Sequence, residues 1–244
     1  MKKALMPFAC FLLLFSLGRV EAAPLKELAT STTTFQNTQT RPVDSFSGVA
    51  SAVPFNVVVT IGPKESLRLE GDSELLDKIE TPVKDGVLHI KMKKGSEQWF
   101  GSSKKVNIYI TAPSLNKLAV SGAGNMEVKG TVKGERVTTE VSGSGHLAAT
   151  VAAASLSSSI SGSGGMELEG KSDDVHLDIS GSGRFEGKDL NTQTAKISVS
   201  GSGKASIQAE ETLDATLSGS GKVTYSGNAK VNVVKSGSGS VTKI

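Results

Sequence analysis

The stretch Ile160-Ser161-Gly162-Ser163-Gly164-Gly165-Met166 returns almost unchanged as Ile179-Ser180-Gly181-Ser182-Gly183-Arg184-Phe185. Its Ser-Gly-Ser-Gly phrase opens at Ser142, Ser161, Ser180, Ser200, Ser218 and Ser236, and a first copy at Ser121 reads Ser-Gly-Ala-Gly. The copies lie roughly 20 residues apart, the period of solenoid units. Side chains of an extended chain alternate between two faces, so parity sorts the residues around each phrase. Val141, Gly143, Gly145 and Leu147 share one face, as do Ile179, Gly181, Gly183 and Phe185, and Leu217, Gly219, Gly221 and Val223. Upstream, Val137 and Thr139 or Leu156 and Ser158 keep the same phase. Both glycines of a phrase are therefore expected to point inward, and both serines outward.

Each unit reads as an apolar arm, a glycine corner and a second apolar arm, closed by a polar turn such as Gly170-Lys171-Ser172-Asp173. One such coil cannot bury its inner face alone, whereas stacked coils share a core and hydrogen-bond edge to edge. The pattern predicts an all-β protein, a β-solenoid (β-helix) with coils of about 20 residues. The structural glycines are Gly143, Gly145, Gly162, Gly164, Gly181, Gly183, Gly201, Gly203, Gly219 and Gly221. They are needed where the wall bends or where the opposite wall leaves no room for a Cβ. A flexible Gly/Ser linker is excluded, because linkers do not carry an in-phase hydrophobic residue on both sides of every copy.

The chain divides into four parts. Residues 1–22 read as a signal peptide: Lys2 and Lys3 precede an apolar run from Leu5 to Leu17, and Val20-Glu21-Ala22 offers a small-residue cleavage site. The expected location is outside the cytoplasm, in the periplasm or beyond the cell. Cys10, the only cysteine, lies within the apolar run, so the exported chain has no thiol or disulfide chemistry. Residues 23–43 are rich in Thr, Gln and Asn and are expected to form a flexible leader. Residues 44–118 are expected to form an N-terminal β cap. Within it Val53, Phe55, Val57, Val59 and Ile61 alternate as a strand, and one short helix runs from Glu74 to Ile79, capped by Asp72 or Ser73. Residues 119–244 are the repeat region. At its far end Lys230, Lys235 and Lys243 punctuate the last strands, as a device against edge-to-edge growth; an end-to-end homodimer there is the competing reading.

The phrases flanked by alternating hydrophobics, Pro54-Phe55-Asn56-Val57 through Asp85-Gly86-Val87-Leu88-His89-Ile90, and Ala112-Pro113-Ser114-Leu115 together resemble the bacterial family called "putative auto-transporter adhesin, head GIN domain". The resemblance spans about residues 44–240. It implies an exported β-solenoid with adhesion as its suggested role, and it supplies no catalytic motif. Nothing in the chain resembles the translocator barrel of an autotransporter.

The net charge of +3 falls to +1 once the signal peptide is removed, too little bias for a nucleic-acid partner. Among carboxylates, Asp173, Asp174 and Asp178, with Arg184 and with Glu167 and Glu169 one coil earlier, are the candidates for a carbohydrate-active lyase or hydrolase; all sit at polar-turn or outward-parity positions. His89, His146 and His176 lack metal-ligand spacing, although the latter two would stack if they fell on adjacent coils. No cofactor is expected.

Two surface features suit a ligand. Trp99 and Phe100, ringed by Lys91, Lys93, Lys94, Lys104 and Lys105, would bind an anionic envelope glycan or a lipid head group, or else fold over the cap as an apolar lid. The two outward serine columns would present a flat hydroxyl surface to a carbohydrate, a protein or ordered water, the last as in surface- or ice-binding proteins; alternatively the hydroxyls bond to their own corner. The functional expectation is a non-catalytic cell-envelope binding or structural module working through a repetitive face.

Overall fold

The structure, a computed structural model, describes residues 37–96 and 105–244. Strands make up nearly all of it, wound into a β-solenoid with coils of about 19 residues. Five long strands each form one coil of the repeat: β10 (Asn125–Gly143), β11 (His146–Gly162), β12 (Gly165–Gly181), β13 (Arg184–Gly201) and β14 (Lys204–Gly219). Each begins after the second glycine of one phrase and ends on the first glycine of the next. Neighbouring coils pair in parallel, so that Val141 lies beside Ile160, Ile160 beside Ile179 and Ile179 beside Val199. Coils differ in length by a residue or two. The excess is absorbed as register shifts away from the phrase, between Glu167 and Gly170 and between Gly187 and Asn191, so the phrases themselves stay aligned.

Every coil contributes to two walls, one leading into the phrase and one leaving it. The entering wall lines the core with Leu118, Thr139, Ser158, Leu177, Ile197 and Ala215, the leaving wall with Val57, Met126, Leu147, Met166, Phe185 and Ala205. Nearly all of these are sealed from solvent. The walls touch across the core: Ser158 and Thr139 share a hydrogen bond of 2.8 Å, and the Thr139 hydroxyl donates to Met166 Sδ at 3.2 Å. That chain satisfies two hydroxyls that burial would otherwise leave without partners. Sizes alternate along the core, with Phe185 beside Ala205, as dense packing requires.

The two glycines of a phrase do different jobs. The first is half-exposed rather than inward-facing, which corrects the simple parity expectation, and it turns the corner with φ between +109° and +112° at Gly143, Gly162, Gly181, Gly201 and Gly219. Its backbone lies so near the previous coil that a Cβ on Gly162 would come within 2.6 Å of the Gly143 carbonyl oxygen. The second is buried and faces inward. A Cβ on Gly183 would sit 2.4 Å from Ile160 Cγ2, and one on Gly164 would sit 2.6 Å from Val141 Cγ1.

Residues before the repeat extend the same two walls. β2 (Gly48–Ala52), β7 (Val87–Met92) and β9 (Lys117–Gly122) continue the entering wall; β3 (Asn56–Ile61) and β8 (Val106–Ala112) continue the leaving wall. The order is not sequential. β2 lies between β7 and β9, and β3 between β8 and β10, so the coil formed first in sequence is the second in space. The outer end is covered by antiparallel strands. β4 (Ser66–Gly71) pairs with β8, while β5 (Ile79–Glu80) and β6 (Val83–Lys84) pair with β7. The helix α1 (Ser73–Leu76) is shorter than expected. Asp72 caps it, accepting from the Glu74 N–H, and Leu75 and Leu76 are buried, but Ile79 leaves it to pair with Met92 in β5.

The leader also departs from expectation at its end: residues 37–41 form β1 (Asn37–Arg41), antiparallel to β4. The sequence is polar, but Arg41 anchors it. Its guanidinium donates to the Leu76 and Ile79 carbonyls, each at 2.7 Å, which closes the end of α1. Burial pushes this guanidinium below its ordinary pKa, and Asp77 opposes the shift. Residues 1–36, with the expected signal peptide, lie outside the described residues.

Two outcomes test this account. Gly162→Ala and Gly183→Ala should each cost about 2 kcal/mol or more in chemical denaturation, whereas Ser161→Ala should stay within about 0.5 kcal/mol. In Arg41→Ala, amide exchange should accelerate across residues 37–41 and leave β10 to β13 unchanged.

Candidate binding face

The corner geometry fixes what the solenoid shows to solvent. With the first glycine turned and the second buried, the serine before each is exposed. Ser121, Ser142, Ser161, Ser180, Ser200, Ser218 and Ser236 pair one to the next in strict register. Ser144, Ser163, Ser182, Ser202, Ser220 and Ser238 form a second exposed file two residues on. In-register hydroxyls of adjacent coils can bond, as Thr139 and Ser158 do at 2.8 Å and Ser206 and Thr224 at 2.9 Å, but among the described residues no such bond joins the hydroxyls of either serine file.

The corner backbone is satisfied differently. The carbonyl of each first glycine accepts from the second serine's N–H one coil on: Ser144 to Gly122 at 2.8 Å, Ser163 to Gly143 at 2.9 Å, Ser182 to Gly162 at 2.8 Å. These bonds hold the serines on a rigid scaffold and leave their hydroxyls for an outside partner.

A further file flanks them on the leaving wall, made by the residue that follows each second glycine. It runs Asn125, His146, Gly165, Arg184, Lys204 and Lys222. Asn107, Asn56 and Asn125 begin it as a side-chain amide ladder, with bonds of 3.5 and 3.2 Å. Three basic residues in a row follow farther along, and only Arg184 has an acidic partner, Glu186 at 3.3 Å. This basic file was missed in the sequence, although aligning the phrases on their second glycine displays it.

Of the carboxylates considered for catalysis, Glu167 and Glu169 line one open hollow of about 370 Å³ with Glu186, Lys188 and Asp189, whereas Asp174 and Asp178 lie on the other wall. Asp178 lies on the entering wall, bonded to His176 at 3.0 Å, and Asp174 accepts from the Thr194 hydroxyl. Glu167 and Arg184 are on the leaving wall, where Glu167 lies 3.9 Å from His146. His146 and His176 occupy different walls, so the imagined stacking of the two does not occur. Among the described residues no group of three His, Cys, Asp or Glu side chains is placed to hold a metal. An open hollow of about 450 Å³ is lined by Ile61, Pro113, Ser114, Gly130, Thr131 and Lys133, without a carboxylate or a histidine.

Of the expected aromatic site, Trp99, Phe100 and Lys104 lie outside the described residues; the strands on either side, β7 and β8, lie on different walls and form no hairpin with each other. Lys93, Lys94 and Lys105, which flank that site, are exposed.

With the geometry in place, the comparisons with known proteins can be set beside it. The profile of the family described as "putative auto-transporter adhesin, head GIN domain" matches residues 45–229. The chain belongs to this family. It is similar to the crystal structure of a "putative adhesin" from Bacteroides fragilis, with 25% identity and a TM-score of 0.80, covering 85% of this chain and 96% of that one. A "putative lipid binding protein" from Parabacteroides distasonis shares the fold at 22% identity and a TM-score of 0.69, with the same coverage. So does a "putative adhesin" from that species, at 19% identity and a TM-score of 0.68, again covering 85% of this chain and 96% of that one. No curated protein matches the chain. None of the described helices is long and apolar enough to cross a membrane.

One titratable group is clearly shifted on the exposed surface. Glu210 accepts from Gln208 Nε2 at 3.1 Å and from the Asn228 N–H and side-chain amide at 3.3 and 3.2 Å. The Gln208 bond first, then the Asn228 backbone bond, hold its carboxyl below the ordinary value of 4.5. A lowered folded pKa means that the tie is at full strength above the unfolded value and fails as pH falls through the folded one. Amide protection at Asn228 should therefore persist at neutral pH and fade as the solution is acidified below 4.5.

Proposed function

We propose that this protein is an exported, non-catalytic binding module of the cell envelope that holds an extended glycan along its serine face. The observation that carries this reading is the alignment of Ser121, Ser142, Ser161, Ser180, Ser200, Ser218 and Ser236 in one exposed file. A rigid ruler of hydroxyls, with no deep pocket, suits a partner that repeats along its length. Each contact is weak, and affinity comes from many contacts made at once. Family membership and the adhesin description of the Bacteroides fragilis neighbour point the same way.

A lipid head group is the second ligand class, favoured by the description of the Parabacteroides distasonis neighbour and by the run Arg184, Lys204 and Lys222. In both cases the export expected from residues 1–22 brings the module to its partner.

The experiment is a binding series with purified envelope polysaccharide and with anionic lipid vesicles as separate arms. Ser161→Ala, Ser180→Ala and Ser200→Ala, combined stepwise, should weaken polysaccharide binding by about 2- to 10-fold per hydroxyl while stability holds. Unchanged binding in the triple variant, together with loss in Trp99→Ala/Phe100→Ala, would move the site to that aromatic pair. Retention on vesicles alone, lost in Lys204→Ala/Lys222→Ala, would favour the lipid reading.

A further inference from the structure

The two ends of the solenoid are built differently. At the end nearest the N-terminus antiparallel strands close the core: β4 pairs with β8 and β1 with β4, β5 and β6 pair with β7, and Leu67, Leu69, Leu75, Leu76 and Ile79 are buried. The other end is formed by β15 (Lys222–Ser226), β16 (Lys230–Ser236) and β17 (Ser240–Lys243). β16 pairs only with β14, and β17 only with β15. Each wall therefore ends in a row of unpaired backbone groups, with a slice of the core between them. Among the described residues the exposed large hydrophobics are Val233, Val234 and Ile244, 41%, 67% and 68% exposed, and all three belong to this end. Val233 closes the inward file that runs through Leu177, Ile197 and Ala215.

We propose that this end is a self-association surface, where a second copy docks through its own last coil to form a closed dimer. An ordinary edge strand can satisfy one wall only, whereas the occupant here must present two strands at once, about 10 Å apart, with apolar side chains between. The last coil of another copy has that spacing and that composition. The far end of another copy does not: its outermost strand, β1, is the polar run Asn37-Thr38-Gln39-Thr40-Arg41, and large exposed hydrophobics are absent from it. A head-to-tail contact would also propagate into a filament, whereas an end-to-end contact closes after two copies.

Charge placement agrees. A two-fold axis normal to the walls sets β16 antiparallel to its own copy, and inward residues must then face inward residues. Lys230 points outward and Lys235 inward, so the two cannot oppose each other. A register centred on Val233 sets Val233 against itself, Lys235 against Val231 and Lys230 against Ser236. Lys230 then stays on the outer face, and Lys235 lays its aliphatic stem against Val231 with its ammonium clear of its own copy's lysines. Such a dimer is independent of what the serine face binds, and its reversed strand direction sets the two serine faces on opposite edges.

Sedimentation velocity of the exported chain tests the proposal directly. The wild type should sediment as a dimer at tens of micromolar, and Val233→Lys/Val234→Lys as a monomer with an unchanged far-UV spectrum. Thr38→Lys/Thr40→Lys on β1 should remain a dimer. A second measurement does not depend on tolerance of the lysines. In a Cys10→Ser background, Val233→Cys should form an interchain disulfide on mild oxidation, because residues opposed across the axis fall within disulfide reach, and Thr40→Cys should not. A monomeric wild type, a dimer that survives the β16 changes, or a dimer broken by the β1 changes would overturn the proposal.

Discussion

The structure depends on the approach of consecutive backbones at the glycine corner. The carbonyl of each first glycine accepts an N–H from the following coil, and the space a Cβ would need at Gly162 or Gly181 already holds that oxygen, 2.6 Å away. The corner is thus a hydrogen-bonded stack of backbone, tighter than any side chain allows. Because it recurs in every coil, it keeps the phrases in register, and the bulges needed for coils of unequal length are pushed to the opposite side.

From that constraint the rest follows. Fixed corners bring the two walls to one spacing, and the second glycine lets Ile160 or Val141 pack directly against the bend. The core can then be filled mainly by ordinary aliphatic residues, with Phe185 as its largest fully buried side chain. The same corners place every serine of a file on a straight exposed line. That exposed serine line is a by-product of the packing rule that builds the fold.

The solenoid also shows how a repeat manages its ends. Stacking is open-ended in principle, since each coil presents the next with another free edge. At one end the chain stops it with antiparallel strands and an arginine that stitches β1 to the end of α1. At the other, valines and an isoleucine are left at the surface between lysines.

The sequence by itself determined the period, the all-β class, the inward apolar files and the outward serines, because alternation in an extended chain is a local property written in every unit. It also displayed the candidates for catalysis but could not show that they fall on separate walls, since that depends on where each coil bends. Only the tertiary structure decided the division of labour between the two glycines, which parity treats alike: one bends the chain against a neighbouring carbonyl, the other makes room for a side chain from another coil. It alone placed the coil of β2 and β3 between those of β7–β8 and β9–β10, an insertion that no local pattern encodes. It drew residues 37–41 out of a polar leader into a strand, because Arg41 finds its carbonyl partners on an element more than thirty residues away.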